Sequence, residues 1–450
     1  MKKAVNHCLV VSLVLPFAFA VVMLSDGIFS VFAQENASPI TLMVRAERET
    51  AIYENGENVT FHVRLLDGEK PLPGKELWYV IQGDGGFEKK GVVVSAETAA
   101  AIVTSLNQPG FLKCTVGWND ASGKTISAMG GAGVDPLKIR AQTPEPEDFD
   151  AFWNAKKKAL DELPLEPILV PVPAEKVNNA AVQVFDIKVN CLGGKPVSGY
   201  FAKPVDAKPK SLPIVISYHG AGVRSAVMPI GDAVRNTLAL DVNAHGIENG
   251  HPAAFYDELA KGELKDYRLA NANDREKIYF VGMYLRVYRS LQFMKAQPEW
   301  DGKTIIVKGG SQGGGQALAA AGLDPQVTFC VAYVPAICYP IGDIESNFGG
   351  WPGFLRNQTK ETADPAVVKT VPYIDAALFA KRIKSETILS TGFIDYVCSP
   401  TSVYVAYNNI SAPKQMFPTP ETNHAVPPTT SATVGKLLWD YVERNRIKAE

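Results

Sequence analysis

Ser311 lies in a glycine-rich stretch, Gly309 to Gly313 (GGSQG), between an apolar run and an alanine-rich one. The pattern G-x-S-x-G between a strand and a helix is typical of a sharp turn that presents a serine nucleophile. Glycines on both sides leave room for the strained backbone of such a turn. Phosphate and dinucleotide loops need G-x-x-x-x-G-K-[ST] or G-x-G-x-x-G, and neither pattern is present here. The sequence therefore predicts that Ser311 is a nucleophile.

A serine hydroxyl needs a neighbouring base to attack a carbonyl carbon. Four histidines lie beyond the leader and the N-terminal β region, namely His219, His245, His251 and His424. The order nucleophile, acid, base is the one found in α/β-hydrolases. Only His424 follows Ser311, so we expect His424 to be the base.

The acid partner should end a strand between Ser311 and His424. Asp395 closes the apolar run ETILSTGFID, and Ser399-Pro400 then resembles the cap and first turn of a helix. Other carboxylates in this part of the chain, such as Asp343, fit no strand end. We therefore expect Asp395 to orient the imidazole and stabilise the imidazolium.

Acyl transfer also requires N–H donors for the negative oxygen of the tetrahedral intermediate. Gln312 supplies one backbone N–H because it follows the nucleophile directly. The segment SYHGAG, after the strand predicted at 212–218, resembles the loop that supplies the second donor. We assign that donor to Ala221, with Gly222 as the second choice.

Two sets of elements must position these residues. Residues 34–140 alternate apolar and polar side chains between turn-rich breaks, and about seven short strands predict an immunoglobulin-like β-sandwich. From residue 141 to residue 450, continuous apolar strands alternate with helical patterns at 278–296 and 313–322. This alternation predicts a mostly parallel sheet covered by helices on both faces, which with Ser311 indicates an α/β-hydrolase fold.

The first 33 residues resemble a cleaved leader. Lys2 and Lys3 precede an apolar run, and Val31 and Ala33 suit a signal-peptidase site that would leave Gln34 as the first residue. The alternative is a retained membrane anchor, but the apolar run is shorter than the ~20 residues that span a bilayer. We expect a periplasmic or secreted protein without a stable membrane anchor.

Composition excludes some partners and metals. The net charge of −2 is not that of a nucleic-acid-binding protein. Five cysteines lie beyond the leader, and none has the C-x-x-C spacing of a zinc site or redox motif. A disulfide framework is not expected, although one pair, Cys330 with Cys338, stays open.

From about residue 145 to residue 445 the chain resembles carbohydrate esterase family 7, the acetyl xylan esterases and cephalosporin-C deacetylases. The segments that carry the resemblance are PEDFDAFW, GGSQGGGQALAAAGLD and GFIDYVCSPTSVYVAYNNI. The resemblance implies removal of acetyl groups from sugars without a cofactor. It also implies Ser311, Asp395 and His424 as the triad, and the Gln312 and Ala221 amides as the oxyanion hole.

Three positions depart from the family pattern. Asn243 lies where the family has an arginine-containing motif, Ala221 where an aromatic residue is usual, and Ala425 where a glutamate follows the histidine. The substrate range and the family's homo-oligomeric assembly therefore stay open. Trp351, in the segment ESNFGGWPGF, is a candidate for stacking on a sugar ring.

Two other functions are compatible with the same residues. A serine peptidase of the prolyl-oligopeptidase type shares the triad order, but about a hundred residues of sandwich cannot form its propeller. A carbohydrate-binding protein on an inactive hydrolase scaffold would not need Ser311, Asp395 and His424. We therefore expect a serine esterase that acts on acetylated oligo- or polysaccharides.

Overall fold

The computed structural model describes residues 40–446, and the predicted leader lies outside the described residues. From residue 40 to residue 134 the chain forms two β-sheets. The first sheet contains β1 (Ile40–Ala46), β3 (Val59–Asp67), β4 (Lys70–Pro71) and β7 (Ala100–Thr104). The second contains β2 (Ile52–Tyr53), β5 (Glu76–Gly83), β6 (Phe87–Val94), β8 (Gly110–Asn119) and β9 (Thr125–Val134).

These two sheets share one apolar core. Along β3 the side chains of Val59, Phe61, Val63 and Leu65 are buried, while His62 between them is partly exposed. They pack with apolar residues of the second sheet in one cluster, so strands β1 to β9 form a sandwich. The structure has nine strands rather than about seven, because β2 and β4 are two-residue pieces. The immunoglobulin-like arrangement stays a prediction.

A nine-stranded sheet dominates the rest of the chain. Its strands are β10 (Ile168–Pro171), β11 (Val182–Val189), β12 (Val197–Pro204), β13 (Leu212–Tyr218), β14 (Leu238–Asn243), β15 (Trp300–Gly310), β16 (Phe329–Tyr333), β17 (Glu386–Gly392) and β18 (Lys414–Thr419). The order is β10-β11-β12-β14-β13-β15-β16-β17-β18. The strands from β14 to β18 are parallel, and β10 to β12 run antiparallel to their neighbours.

Helices connect these strands, as the sequence predicts. They are α1 (Phe149–Asp161), α2 (Ala174–Val177), α3 (Ile230–Ala233), α4 (Ala253–Lys261), α5 (Tyr279–Lys295), α6 (Gln312–Leu323), α7 (Pro365–Thr370), α8 (Ala376–Ala380), α9 (Pro400–Asn409) and α10 (Pro428–Asn445). Nearly all of β13 and α6 is buried, as expected where helices cover both faces of a parallel sheet.

The sandwich packs directly on the rest of the chain. The Phe111 side chain from β8 belongs to the large core around the nine-stranded sheet, and its ring lies 5.0 Å from that of Phe393 and 5.5 Å from that of Tyr404. The chain from residue 40 to residue 446 accordingly belongs to one compact unit. The predicted domain boundary near residue 140 stays a prediction.

Two other features of the described chain bear on the sequence analysis. Between residues 40 and 446, no helix is both long and apolar enough to cross a bilayer. The five cysteines in this range are all free thiols, so Cys330 and Cys338 are not joined to each other.

Candidate active site

Ser311 lies at a sharp turn between β15 and α6. Its backbone angles, φ 55° and ψ −124°, are unusual for a residue with a side chain. Hydrogen bonds hold this conformation: its N–H donates to the Tyr333 carbonyl at 2.9 Å, and its carbonyl accepts from Gly315 and Ala336. A methyl group at Gly313 would lie 2.0 Å from the Tyr218 carbonyl oxygen. Gly313, two residues after the serine, is therefore required by the close approach of β13.

Ser311, His424 and Asp395 form one hydrogen-bonded chain. The imidazole Nε2 of His424 lies 2.9 Å from the Ser311 Oγ, and Nδ1 lies 2.8 Å from the Asp395 Oδ2. With Nδ1 donating to the carboxylate, Nε2 is free to accept the serine proton. The three residues come from the ends of β15, β17 and β18, which lie at the same edge of the sheet.

The Asp395 carboxylate is fully buried and fixed by its own loop. Its second oxygen, Oδ1, accepts the backbone N–H groups of Val397 at 2.8 Å and Cys398 at 2.9 Å. Oδ2 is thereby left for the histidine. We call residues 393–399 the acid loop.

Two backbone N–H groups beside Ser311 are free to bind an anion. Among the described residues, neither Ala221 nor Gln312 donates its backbone N–H to an acceptor. The loop that contains Ala221 lies against the nucleophile, because a methyl group at Gly220 would be 3.7 Å from the Ser311 Cβ. Gln312 is the first residue of α6, where N–H groups point out of the helix end. The N–H of Gly222, the second choice, is occupied by the Tyr267 hydroxyl at 3.3 Å.

Tyr267 connects these two segments. Its hydroxyl accepts from the Gly222 N–H and donates to the Gln312 Oε1 at 2.8 Å. His245 packs edge-on against the Tyr267 ring and lies 3.0 Å from the Gly222 carbonyl through Nε2. Burial lowers the pKa of His245 to about 3, so the imidazole is neutral at pH 7. Tyr267 was not predicted for this place beside Ala221 and Gln312.

His219 also supports the loop around Ala221. Its Nε2 accepts the Ala244 N–H at 3.0 Å, and its Nδ1 therefore donates to the Gly220 carbonyl at 2.7 Å. Burial lowers the pKa of this imidazole to about 4. Both ring nitrogens are committed to backbone groups, which leaves none for proton transfer.

Comparisons with known proteins decide the family. A family model described as acetyl xylan esterase (AXE1) matches residues 135–438. The acetyl esterase Axe7A of Xylanibacter ruminicola is 32% identical over 398 residues, which cover 86% of this chain and 87% of that protein. The chain belongs to the acetyl xylan esterase family. The match to Axe7A is longer than the region after residue 134, so it extends into the sandwich.

Solved structures agree with this assignment. The acetyl xylan esterase from Paenibacillus sp. R4 is 25% identical with a TM-score of 0.59, and covers 68% of this chain and 98% of its own. Acetyl xylan esterase 1 from Thermoanaerobacterium sp. JW/SL YS485 has a TM-score of 0.54 at 21% identity, over 68% of this chain and 97% of its own. The sheet and its helices therefore have the predicted α/β-hydrolase fold, and the protein is an esterase.

The departures from the family pattern at Asn243 and Ala425 lie in different surroundings. The Asn243 side chain donates to the Arg224 carbonyl and accepts the His245 N–H, both at 3.0 Å. Asn243 thus joins the loop after β13, which contains His219, to the loop after β14, which contains His245. Ala425 is exposed beside His424.

Trp351 lies on a segment that contacts the acid loop. Its backbone N–H donates to the Val397 carbonyl at 2.8 Å, and its half-buried ring packs edge-on against Phe280. One part of the indole is therefore fixed in the protein while another part remains accessible. The sequence analysis proposed Trp351 as a sugar contact, but the contact of segment 345–354 with the acid loop could not be predicted from the sequence.

Two sandwich residues also reach the site and were missed by the sequence analysis. Lys113 on β8 donates a hydrogen bond to the Asp395 carbonyl. Asp84, at the turn between β5 and β6, accepts from the backbone N–H of Phe348 and from the hydroxyl of Thr401. In the sequence Lys113 lies in the apolar run FLKCTV, and a lysine there is the only signal of an unusual partner.

Proposed function

We propose that this esterase is a secreted serine carbohydrate esterase that removes acetyl groups from xylan or a related polysaccharide. The observation that carries the proposal is the hydrogen-bonded chain from Ser311 through His424 to Asp395. Membership of the acetyl xylan esterase family supports a sugar-linked acetyl ester as the substrate.

The proposed reaction has two acyl-transfer steps. The Ser311 Oγ attacks the acetyl carbonyl while its proton moves to the His424 Nε2. The Gln312 and Ala221 N–H groups stabilise the resulting oxyanion. The bond between the carbonyl carbon and the sugar oxygen then breaks, and His424 gives its proton to that oxygen, which leaves as a sugar hydroxyl. Water, activated by His424, attacks the acetyl-serine and releases acetate with the free serine.

A substrate panel tests this proposal. We expect release of acetate from acetylated xylo-oligosaccharides and from p-nitrophenyl acetate, with little hydrolysis of aminoacyl-naphthylamides. Hydrolysis of the naphthylamides in preference to the acetyl esters would instead support the peptidase alternative. Binding of acetylated xylan without any release of acetate would support a carbohydrate-binding protein.

Tyr267→Phe is expected to lower kcat by about 10-fold with little change in KM, because one positioned hydroxyl near an oxyanion hole contributes roughly this much. The variant leaves the Gly222 N–H and Gln312 Oε1 without their shared partner, so the two oxyanion segments lose their common brace. Steady-state kinetics on p-nitrophenyl acetate would measure the effect. Tyr407→Phe, at a half-buried ring on α9, is the matched control and should retain full kcat.

Trp351→Ala is expected to raise KM for acetylated xylo-oligosaccharides by about 5- to 10-fold, because loss of an aromatic face costs roughly 1 kcal/mol of sugar stacking. The KM for p-nitrophenyl acetate should stay near the wild-type value, since that ester has no sugar. Measuring both substrates on one preparation separates loss of stacking from damage to the site. Equal changes for the two substrates would argue against a sugar contact.

A further inference from the structure

Lys113 is a sandwich residue whose charged group contacts the acid loop. It is only 6% exposed. Its ammonium donates to the backbone carbonyl of Asp395 and lies 4.6 Å from the centre of the Phe348 ring. Both contacts are made to residues outside the sandwich.

A buried lysine is costly at this position. Along β8 the side chains of Leu112 and Cys114 face the sandwich core, and Phe111 packs on the core around the nine-stranded sheet. Burial lowers the pKa of Lys113 to about 8, although the carboxylates of Asp395 and Asp84 oppose this shift. Arg356 lowers it further. Taking an ammonium out of water destabilises a fold, so stability of the sandwich does not explain this lysine.

Sandwich residues near Lys113 contact the acid loop at its start and just after its end. At its start, the Phe111 ring packs edge-on against Phe393, and a methyl group at Gly131 would lie 2.7 Å from the Phe393 Cβ. Just after its end, the hydroxyl of Thr401 donates to the Asp84 Oδ2 at 2.6 Å. The sandwich therefore contacts the first residue of the acid loop and its Asp395, and it also contacts Thr401, two residues after the loop ends.

Asp84 is a second sandwich residue that binds Phe348. Its Oδ1 accepts the Phe348 N–H at 2.7 Å, and its Oδ2 also accepts the Phe111 N–H at 2.7 Å. The Phe348 ring that lies under the Lys113 ammonium is therefore held by the sandwich as well. The Phe348 backbone carbonyl accepts a hydrogen bond from the hydroxyl of Ser399, the last residue of the acid loop. Phe348 thus connects Asp84 of the sandwich to the acid loop.

We propose that Lys113 is a positioning residue that fixes the acid loop and so holds the Asp395 carboxylate in line with His424. Both donors to the Asp395 Oδ1 are N–H groups of this loop. The direction of Oδ2 therefore follows the conformation of the loop, and Lys113 holds the carbonyl of the same residue. The inference rests on the proposed function, in which Asp395 orients the base.

The test replaces the ammonium by a methylthio group of similar length. We expect Lys113→Met to lower kcat for p-nitrophenyl acetate by ~10- to 100-fold, the loss that a small misplacement of a reacting group produces, with KM unchanged. Its melting temperature should fall, because the variant leaves the Asp395 carbonyl and the buried carboxylates of Asp84 and Asp395 without the ammonium. Lys90→Met is the matched control, since Lys90 is an exposed lysine on the same sheet, and it should keep wild-type kcat.

A double-mutant cycle separates positioning from general damage. In an Asp395→Asn background, Lys113→Met should change kcat by less than about two-fold, because the two substitutions act through the same group. An undiminished effect in that background would overturn the inference, as would a single variant with wild-type kcat. If Lys113→Met does not fold, Lys113→Leu, which also lacks an N–H donor, enters the same cycle with the same criteria.

A measurement without substrate keeps the inference distinct from the proposed function. The imidazole proton shared by His424 and Asp395 should give a far-downfield NMR resonance, as short charge-assisted hydrogen bonds do. We expect it to shift or broaden in Lys113→Met and to stay unchanged in Lys90→Met. An unchanged resonance in both variants would contradict the role of Lys113. Wild-type turnover in Ser311→Ala would contradict the proposed function alone.

Discussion

Replacing Ser311 by alanine is expected to lower kcat for p-nitrophenyl acetate by ~10⁴-fold or more, the range found when a triad nucleophile is removed. The variant cannot form an acetyl-enzyme, and His424 loses its partner at Nε2. The fold should be retained, since alanine fits the space that the Ser311 side chain occupies. Circular dichroism and thermal melting would verify the fold beside the kinetic assay.

The matched control for this variant is another buried serine. Ser290 on α5 is fully buried, and its hydroxyl donates to the Val287 carbonyl in its own helix. Ser290→Ala should keep kcat within about two-fold of wild type, as expected for a site remote from the chemistry. Turnover by Ser311→Ala at the level of Ser290→Ala would refute the nucleophile assignment.

Asp395→Asn is expected to lower kcat by about 10³- to 10⁴-fold through the wrong histidine tautomer. The single amide oxygen would stay with the N–H groups of Val397 and Cys398, which now bind Oδ1. The amide NH₂ would then face the His424 Nδ1 and force the imidazole proton onto Nε2. In that form Nε2 cannot accept the proton of Ser311. Kinetics on p-nitrophenyl acetate would measure the loss.

Asp343→Asn is the matched control for the acid. Asp343 lies between the nucleophile and the base in sequence, but on a short 3₁₀ helix at Gly342–Glu345 and not at the end of a strand. We expect this variant to keep most of the activity. A larger loss in Asp343→Asn than in Asp395→Asn would mean that the acid has been assigned to the wrong carboxylate.

Ser311 and Asp395 were predictable because each follows an apolar strand of the parallel sheet, and His424 was predictable because it is the only histidine after Ser311. Strands of this kind read as apolar runs, and their carboxyl ends meet at one edge. The same reasoning located α5 and α6 to within a residue or two. The alternation of apolar and polar side chains along β3 likewise predicted a strand with one face buried against a second sheet.

The supporting residues could not be predicted, because nothing local to them indicates their partners. Tyr267 is 45 residues from Gln312, and Lys113 is 282 residues from Asp395. In an alternating strand, the face that turns away from the sandwich core is expected to meet solvent. On β8, however, Phe111 packs in the core around the nine-stranded sheet, and Lys113 contacts Asp395 and Phe348. These contacts depend on the packing of two parts of the chain that are distant in sequence.

Strand β8 therefore packs against two different cores, one on each of its faces. Leu112 must suit the sandwich core, whereas Phe111 must suit the surface beside Phe393. A substitution on this strand affects the packing of both parts of the chain. The sandwich is therefore not a module that can be exchanged independently of the hydrolase fold. A chimera that grafts a different sandwich onto this hydrolase inherits a mismatched neighbour for the acid loop unless equivalents of Lys113 and Asp84 are carried with it.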